Sequence, residues 1–142
     1  MKQKFRCDCP FTSALDVLGD RWILVIVKLM LLEGKKTFKD FTESNEAIAT
    51  NILSAKLKML EESGLISKTK LPHNKKTNIY LLTEKGLALA PILTELAVWS
   101  DSNLRDVHPS IIEGEGIEFL RKDKEGFTSL VTEKYRDNFN QK

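Results

Sequence analysis

The chain has 142 residues and a formal net charge of +2, long enough to bury one proper core. So small a positive excess excludes any argument from total charge: a nucleic-acid partner has to be argued from where the lysines stand. The amino-terminal MKQKFRCDCP lacks the apolar core of an export signal. The longest apolar run, Trp22 to Leu32, carries Lys28 and falls short of the ~20 residues a bilayer span needs. A cytoplasmic protein without a membrane span, its two cysteines reduced, is expected.

Pro10 suits the first turn of a helix over 11–18, where Phe11, Ala14, Leu15 and Leu18 recur at helical spacing. Gly19 ends it, and Asp20 can cap a second helix over 21–33 that is apolar nearly all round and so is expected to be buried on most sides, with one face available to a subunit interface. Gly34 stops that helix. Thr37 is positioned to cap a short helix to about Glu43 with Phe38 and Phe41 inward, and SNEA forms a turn. The next helix runs from about Thr50 to Ser63, with Ile52 or Leu53, Lys56/Leu57, Leu60 and on to Leu65 inward, and Gly64 closing it in the left-handed conformation. A strand from Leu65 and Ile66, the basic loop PHNKK and a second strand over about 78–82 form a hairpin. Thr83 caps a further helix that reaches Trp99, with a kink or break at Pro91. Residues 102–116 read as a linker. A last helix, about 127–139, carries Phe127, Leu130, Val131 and Tyr135 along one side.

Two helices followed by a basic hairpin outline a winged helix-turn-helix: mainly α with a small β-hairpin, an α+β chain. The helix from Thr50 is the candidate recognition helix. Opposite its apolar stripe stand Thr50, Asn51, Ser54, Ala55 and Lys58. Small side chains allow close approach to the major-groove floor, and Asn can pair with adenine through two hydrogen bonds. A solvated helix face is the plainer alternative. The hairpin carries Lys68, Lys70, Lys75 and Lys76 with no acid among them, and His73 and Asn74 at its tip. Lysines there would neutralise phosphates and release counterions. An edge hairpin guarded by lysine against aggregation is the competing reading.

Cys7 and Cys9 lie among Lys2, Lys4 and Arg6, cations that favour the reactive thiolate, so a redox-sensing thiol is chemically open; two inert thiols are the simpler reading. Their spacing does not suit zinc, and no metal site is expected. Trp22 and Trp99 are expected in core packing rather than in a ligand pocket. No phosphate loop, nucleophile elbow or zinc-protease motif is present, so no catalysis and no cofactor are expected.

An ordered set of landmarks then resembles one family. Cys9-Pro10 opens it and Gly19-Asp20-Arg21-Trp22 begins the buried helix. Gly34 with Thr37-Phe38-Lys39-Asp40-Phe41 follows, then Leu53, Lys56-Leu57, Leu60-Glu61 and Gly64-Leu65-Ile66. Tyr80-Leu81-Leu82-Thr83 with Gly86, and Pro91, Leu93 and Trp99, close it. Over 7–101 the chain resembles the HxlR-type winged-helix transcription regulators, relatives of the MarR group; 102–142 reads as a linker and carboxy-terminal helical extension. The resemblance implies a homodimer, paired through the amino-terminal segment and the helix after the wing, on double-stranded DNA. It also implies that the thiol at Cys9 senses oxidants or electrophiles in some relatives, which leaves room for an unidentified small-molecule or oxidant effector. Two departures stand out. Ala49 occupies the place of a capping Ser or Thr, so that Thr50 becomes the alternative cap, and lysines replace the frequent arginines at Lys39 and Lys56, which would weaken base reading there because lysine lacks the planar fork.

The sequence therefore leads to a homodimeric, sequence-specific DNA-binding transcriptional regulator. Its recognition helix is about 50–63 and its basic wing about 67–80. The alternatives are a winged-helix protein–protein assembly module and a thiol-based sensor using Cys7 and Cys9.

Overall fold

The computed structural model describes residues 4–139. By packing, the chain divides after Leu87 into two compact units. The first holds α1 (Pro10–Leu18), α2 (Ile23–Glu33), α3 (Phe38–Thr42), α4 (Thr50–Glu62), β1 (Ile66–Leu71), β2 (Asn74–Leu82) and α5 (Glu84–Leu87). The second holds α6 (Ala90–Asn103), α7 (Glu115–Lys122) and α8 (Lys124–Phe139).

Helix boundaries in the first unit follow local chemistry. Asp20 Oδ1 accepts from the amides of Trp22 (2.7 Å) and Ile23 (2.8 Å), so the orphan donors at the start of α2 are satisfied. Thr37 and Asp40 form a reciprocal capping box on α3. Gly34 (φ 69°) and Gly64 (φ 79°) take the left-handed conformation just beyond α2 and α4, where a Cβ would be strained. The core is built on α2: Ile26, Val27, Leu29, Met30, Phe41, Leu53 and Leu60 are completely buried. Phe41 lies against Tyr80, ring centroids 6.4 Å apart. The link between α2 and α3 joins the hairpin, since the Tyr80 amide donates to the Lys36 carbonyl at 2.8 Å.

Several expectations are revised. Phe38 stays at the surface, 37 % exposed, because a five-residue helix has only one inward turn and Phe41 fills it. Leu32 is 46 % exposed at the end of α2. Trp99 is 57 % exposed rather than packed in a core, whereas Trp22 is half-buried, with the Arg21 guanidinium 5.2 Å from its ring centroid. Pro91 breaks the chain's helical path as expected. α5 ends at Leu87, and Pro91 sits in the first turn of α6, where its missing amide costs nothing.

The second unit also departs from the reading as a linker followed by one helix. α7 begins inside the supposed linker, and Arg105 organises the chain before it. Its guanidinium donates to Asp101 Oδ1 (2.7 Å) and to the carbonyls of Ile111 and Ile112 (each 2.8 Å). Arg121 of α7 then clasps both Asp101 oxygens at 2.8 Å. Phe119 meets Phe127 edge-on at 5.7 Å, and Thr128 donates to the buried Thr94 hydroxyl at 2.7 Å. Tyr135 is buried, but Leu130, expected on the same side of α8, is 55 % exposed. At helical spacing Phe127, Val131 and Tyr135 form the inward row, and Leu130 falls beside it.

Candidate nucleic-acid interface

α4 is held by Leu53, Leu57 and Leu60, all buried, and this fixes which side of it faces out. Thr50, Asn51, Ser54, Ala55 and Lys58 are all exposed, at the spacing of a single helix face. Ala49 is the N-cap residue, in extended conformation and with no side-chain cap; the alternative in which Thr50 caps is not adopted. The first amides of α4 therefore have no side-chain acceptor from the cap. The turn before α4 contains Ala47 at φ 56°, a left-handed conformation that costs a Cβ-bearing residue roughly 1–2 kcal/mol.

The hairpin pairs Ile66 with Leu82, Lys68 with Tyr80 and Lys70 with Asn78. Residues two apart share a face, so Lys68 and Lys70 continue the side on which Ile66 is buried. Lys68 Nζ lies 3.9 Å from Glu61 Oε1, which brings the wing's first strand beside the carboxy-terminal half of α4. The loop expected over 72–76 is smaller. The turn is Pro72 and His73, while Asn74, Lys75 and Lys76 belong to β2, which runs from Asn74 rather than Asn78. The register slips between Lys70 and Leu71, leaving Lys75, Lys76 and Thr77 as extra residues on β2. The Asn74 side chain braces this bulge, accepting from the Lys76 amide (3.1 Å) and donating to Thr77 Oγ1 (3.0 Å). His73, Lys75 and Lys76 are exposed at the wing's end. Lys58, Lys70, Lys75 and Lys76 have no ion-pair partner among the described residues; Lys68 does.

Two basic residues escaped the sequence reading, Lys35 and Lys36; they stand beside Lys39, which lies 4.0 Å from Glu43. The segment GKKTFKD holds one acid, Asp40, whose carboxylate is engaged with the amides of Lys36 (3.0 Å) and Thr37 (3.1 Å). The capping box was the signal that Asp40 would be occupied there. Lys56, by contrast, is engaged within the chain. It faces away from the exposed side of α4 and pairs with Asp20 Oδ2 at 2.7 Å. Burial pushes the Asp20 carboxyl up. Lys56 and the amides of Ile23 and Trp22 outweigh that and hold it below its ordinary value.

Cys7 and Cys9 are free and exposed, and Cys9 is the N-cap residue of α1. The backbone amide of Thr12 first, then the Thr12 hydroxyl and the Phe11 amide, lower the Cys9 thiol below its ordinary value, although none forms a full cap hydrogen bond with it. α1 buries no residue; Phe11 is 82 % and Leu15 59 % exposed. In the second unit Pro91, Ile92, Leu96 and Trp99 line an open apolar groove of about 620 Å³ along α6. No group of His, Cys, Asp and Glu suited to a metal occurs among the described residues, and no helix there is long and apolar enough to cross a membrane.

An exposed polar helix set after a turn, with a two-stranded hairpin beside it, defines a winged helix-turn-helix. The HxlR-like helix-turn-helix family model matches residues 17–108, and the chain belongs to that family. It is a transcription regulator of the helix-turn-helix type. It is 38 % identical over 94 residues to the HTH-type transcriptional regulator YodB of Bacillus subtilis (strain 168), covering 66 % of this chain and 83 % of YodB. The reduced form of YodB from B. subtilis superposes with a TM-score of 0.57 at 36 % identity, over 68 % of this chain and 95 % of that one. The redox regulator HypR in its reduced form gives 0.59 at 31 % identity, over 72 % and 100 %. α7 and α8 lie beyond the end of the family match.

Proposed function

We propose that this regulator is a cytoplasmic homodimer that binds double-stranded DNA sequence-specifically, with 7–101 as its DNA-binding domain and 102–142 as an extension. α4 enters the major groove with Thr50, Asn51, Ser54, Ala55 and Lys58 toward the bases. The wing sets Lys68, Lys70, His73, Lys75 and Lys76 on phosphates or in the minor groove, and Lys35 and Lys39 add charge near α3. The observation that carries this reading is that Lys70, Lys75 and Lys76 of the wing, with no ion-pair partner among the described residues, accompany a polar, exposed face of α4. Free cations next to a face of groove-reading residue types suit a polyanion.

Two copies would address half-sites about 34–36 Å apart. The bare apolar face of α1 and the apolar groove of α6 are surfaces suited to a second copy. Selection from a random duplex pool tests the proposal: a palindromic site retained in a salt-dependent manner is the expected outcome. Failure to retain any duplex at low salt would favour an assembly module instead.

A second reading adds a thiol response. Cys9 is exposed at a helix start with a lowered thiol, and among the relatives HypR is a redox regulator and YodB has quinone-bound and diamide-treated forms. An oxidant should then change DNA binding of the wild type and leave Cys9→Ser unaffected. Equal responses would remove Cys9 from the mechanism.

A further inference from the structure

Little that is local holds the start of α4 in place. Its N-cap is Ala49, and the turn before it passes through a left-handed Ala47. Leu53, Leu57 and Leu60 choose its inward side, but apolar contact is non-directional and constrains sliding along the helix axis less than rotation about it. The far end of α4 is tied to the segment after the wing, where Lys85 and Thr83 donate to the Ser63 and Gly64 carbonyls; on the α2 side, directional contacts come from two ion pairs. Lys28 of α2 reaches Glu46, in the turn, at 2.5 Å, and Asp20, just before α2, reaches Lys56 of α4 at 2.7 Å. They run in opposite senses: the earlier anchor near α2 meets the later one on α4, and the charges alternate. Neither is an ordinary surface pair, since the four side chains are only 29 %, 27 %, 31 % and 21 % exposed in the order Lys28, Glu46, Asp20, Lys56.

Asp20 is the more informative anchor. Its Oδ1 is fixed by the amides of Trp22 and Ile23, so Oδ2 is already aimed when Lys56 arrives. The side-chain entropy that cancels most exposed ion pairs is therefore largely spent on the cap. Lys56 lies on the side of α4 opposite Asn51 and Ser54.

We propose that Asp20 and Lys56 are positioning residues for sequence reading: with Lys28–Glu46 as its counterpart, their ion pair sets where α4 lies along α2, and hence where Asn51 and Ser54 meet the base edges. The inference rests on α4 being the DNA-reading helix. It assigns Lys56 to register rather than to phosphate or base contact.

The test uses the full chain and the variants Asp20→Asn, Lys56→Gln and Lys56→Arg. Asn retains the cap acceptor and loses only the charge. Affinity is measured across a salt series for the selected duplex and for a random duplex, and backbone hydrogen exchange is followed in the absence of DNA. Asp20→Asn and Lys56→Gln should each lower the selected-to-random affinity ratio, roughly fivefold or more if one base contact is misplaced. The salt slope should be unchanged, and Lys56→Arg should restore the ratio. A phosphate-contacting Lys56 gives the opposite signs: Asp20→Asn would tighten both duplexes, and Lys56→Gln would reduce the slope by about one. That pattern overturns the proposal. In hydrogen exchange, α4 amides should lose protection in Asp20→Asn while β1 and β2 keep theirs; unchanged α4 protection also overturns it. If the wild type retained no duplex, the DNA reading would fall, and the exchange arm alone would decide whether the pair registers α4.

Discussion

The wing and the second unit treat positive charge in opposite ways. In the second unit, Arg105 and Arg121 converge on Asp101, and Glu113 lies 3.3 Å from Arg105 and 3.0 Å from Arg121. Planar guanidinium forks suit that work, because each makes several directed bonds at once. In the wing the cations are lysines on exposed strand, and Lys70, Lys75 and Lys76 meet no acid among the described residues. Charge bonded within the chain holds the chain together. Charge left in water beside an uncovered helix face is available to a partner.

The sharpest way to break this contrast is the double variant Lys75→Ala with Lys76→Ala. Loss of two phosphate contacts should weaken binding to every duplex by on the order of tenfold or more at physiological salt and reduce the salt slope by roughly two. An unchanged slope in a salt titration would show that these lysines are not at the DNA. Asn51→Ala should come next, costing about 1–3 kcal/mol on the selected site and little on random duplex, read as a ratio of dissociation constants. Equal losses on both would move Asn51 from bases to backbone.

A smaller effect is expected at Ala49. Ala49→Ser supplies the missing cap and should stabilise the fold by about 1 kcal/mol in denaturant unfolding. If a phosphate normally meets those amides, the same variant should weaken duplex binding.

The smallest effect at neutral pH concerns the second unit. Arg121→Ala should loosen α7 in hydrogen exchange and leave the salt slope of DNA binding unchanged. Asp101 titrates well below the usual carboxylate range because Arg121, then Arg105, donate to it. A depressed folded value means that its contribution is present above the unfolded value near ~3.9 and is lost as pH falls through the folded one. Acid should therefore unfasten α7 in the wild type, and Arg121→Ala should show less of that acid sensitivity.

Much of the first unit was legible because its signals are local. The Thr37–Asp40 box, the Asp20 carboxylate and the glycines at 34 and 64 all act within a few residues of where they stand. The apolar spacing of Leu53, Leu57 and Leu60 likewise marked the inward side of α4 and, by exclusion, its outward one. The wing was legible as a basic hairpin, but its detail was not. The bulge that draws Lys75 and Lys76 into β2 depends on pairing with β1 and on the side chain of Asn74. α7 was hidden because two glycines and a proline near it read as a linker, whereas Arg105 orders that segment through carbonyls several residues away.

In the first unit, helix boundaries, caps and the acid-free run of lysines are properties of neighbouring residues, and the chain written as letters determined them. Three things waited for the tertiary structure: that Phe11, Leu15 and Trp99 remain bare, that Lys68 leans on Glu61, and that Lys56 is tied to Asp20. Each is a relation between segments distant in sequence, or the absence of one, and only the folded chain brings such segments within reach of each other.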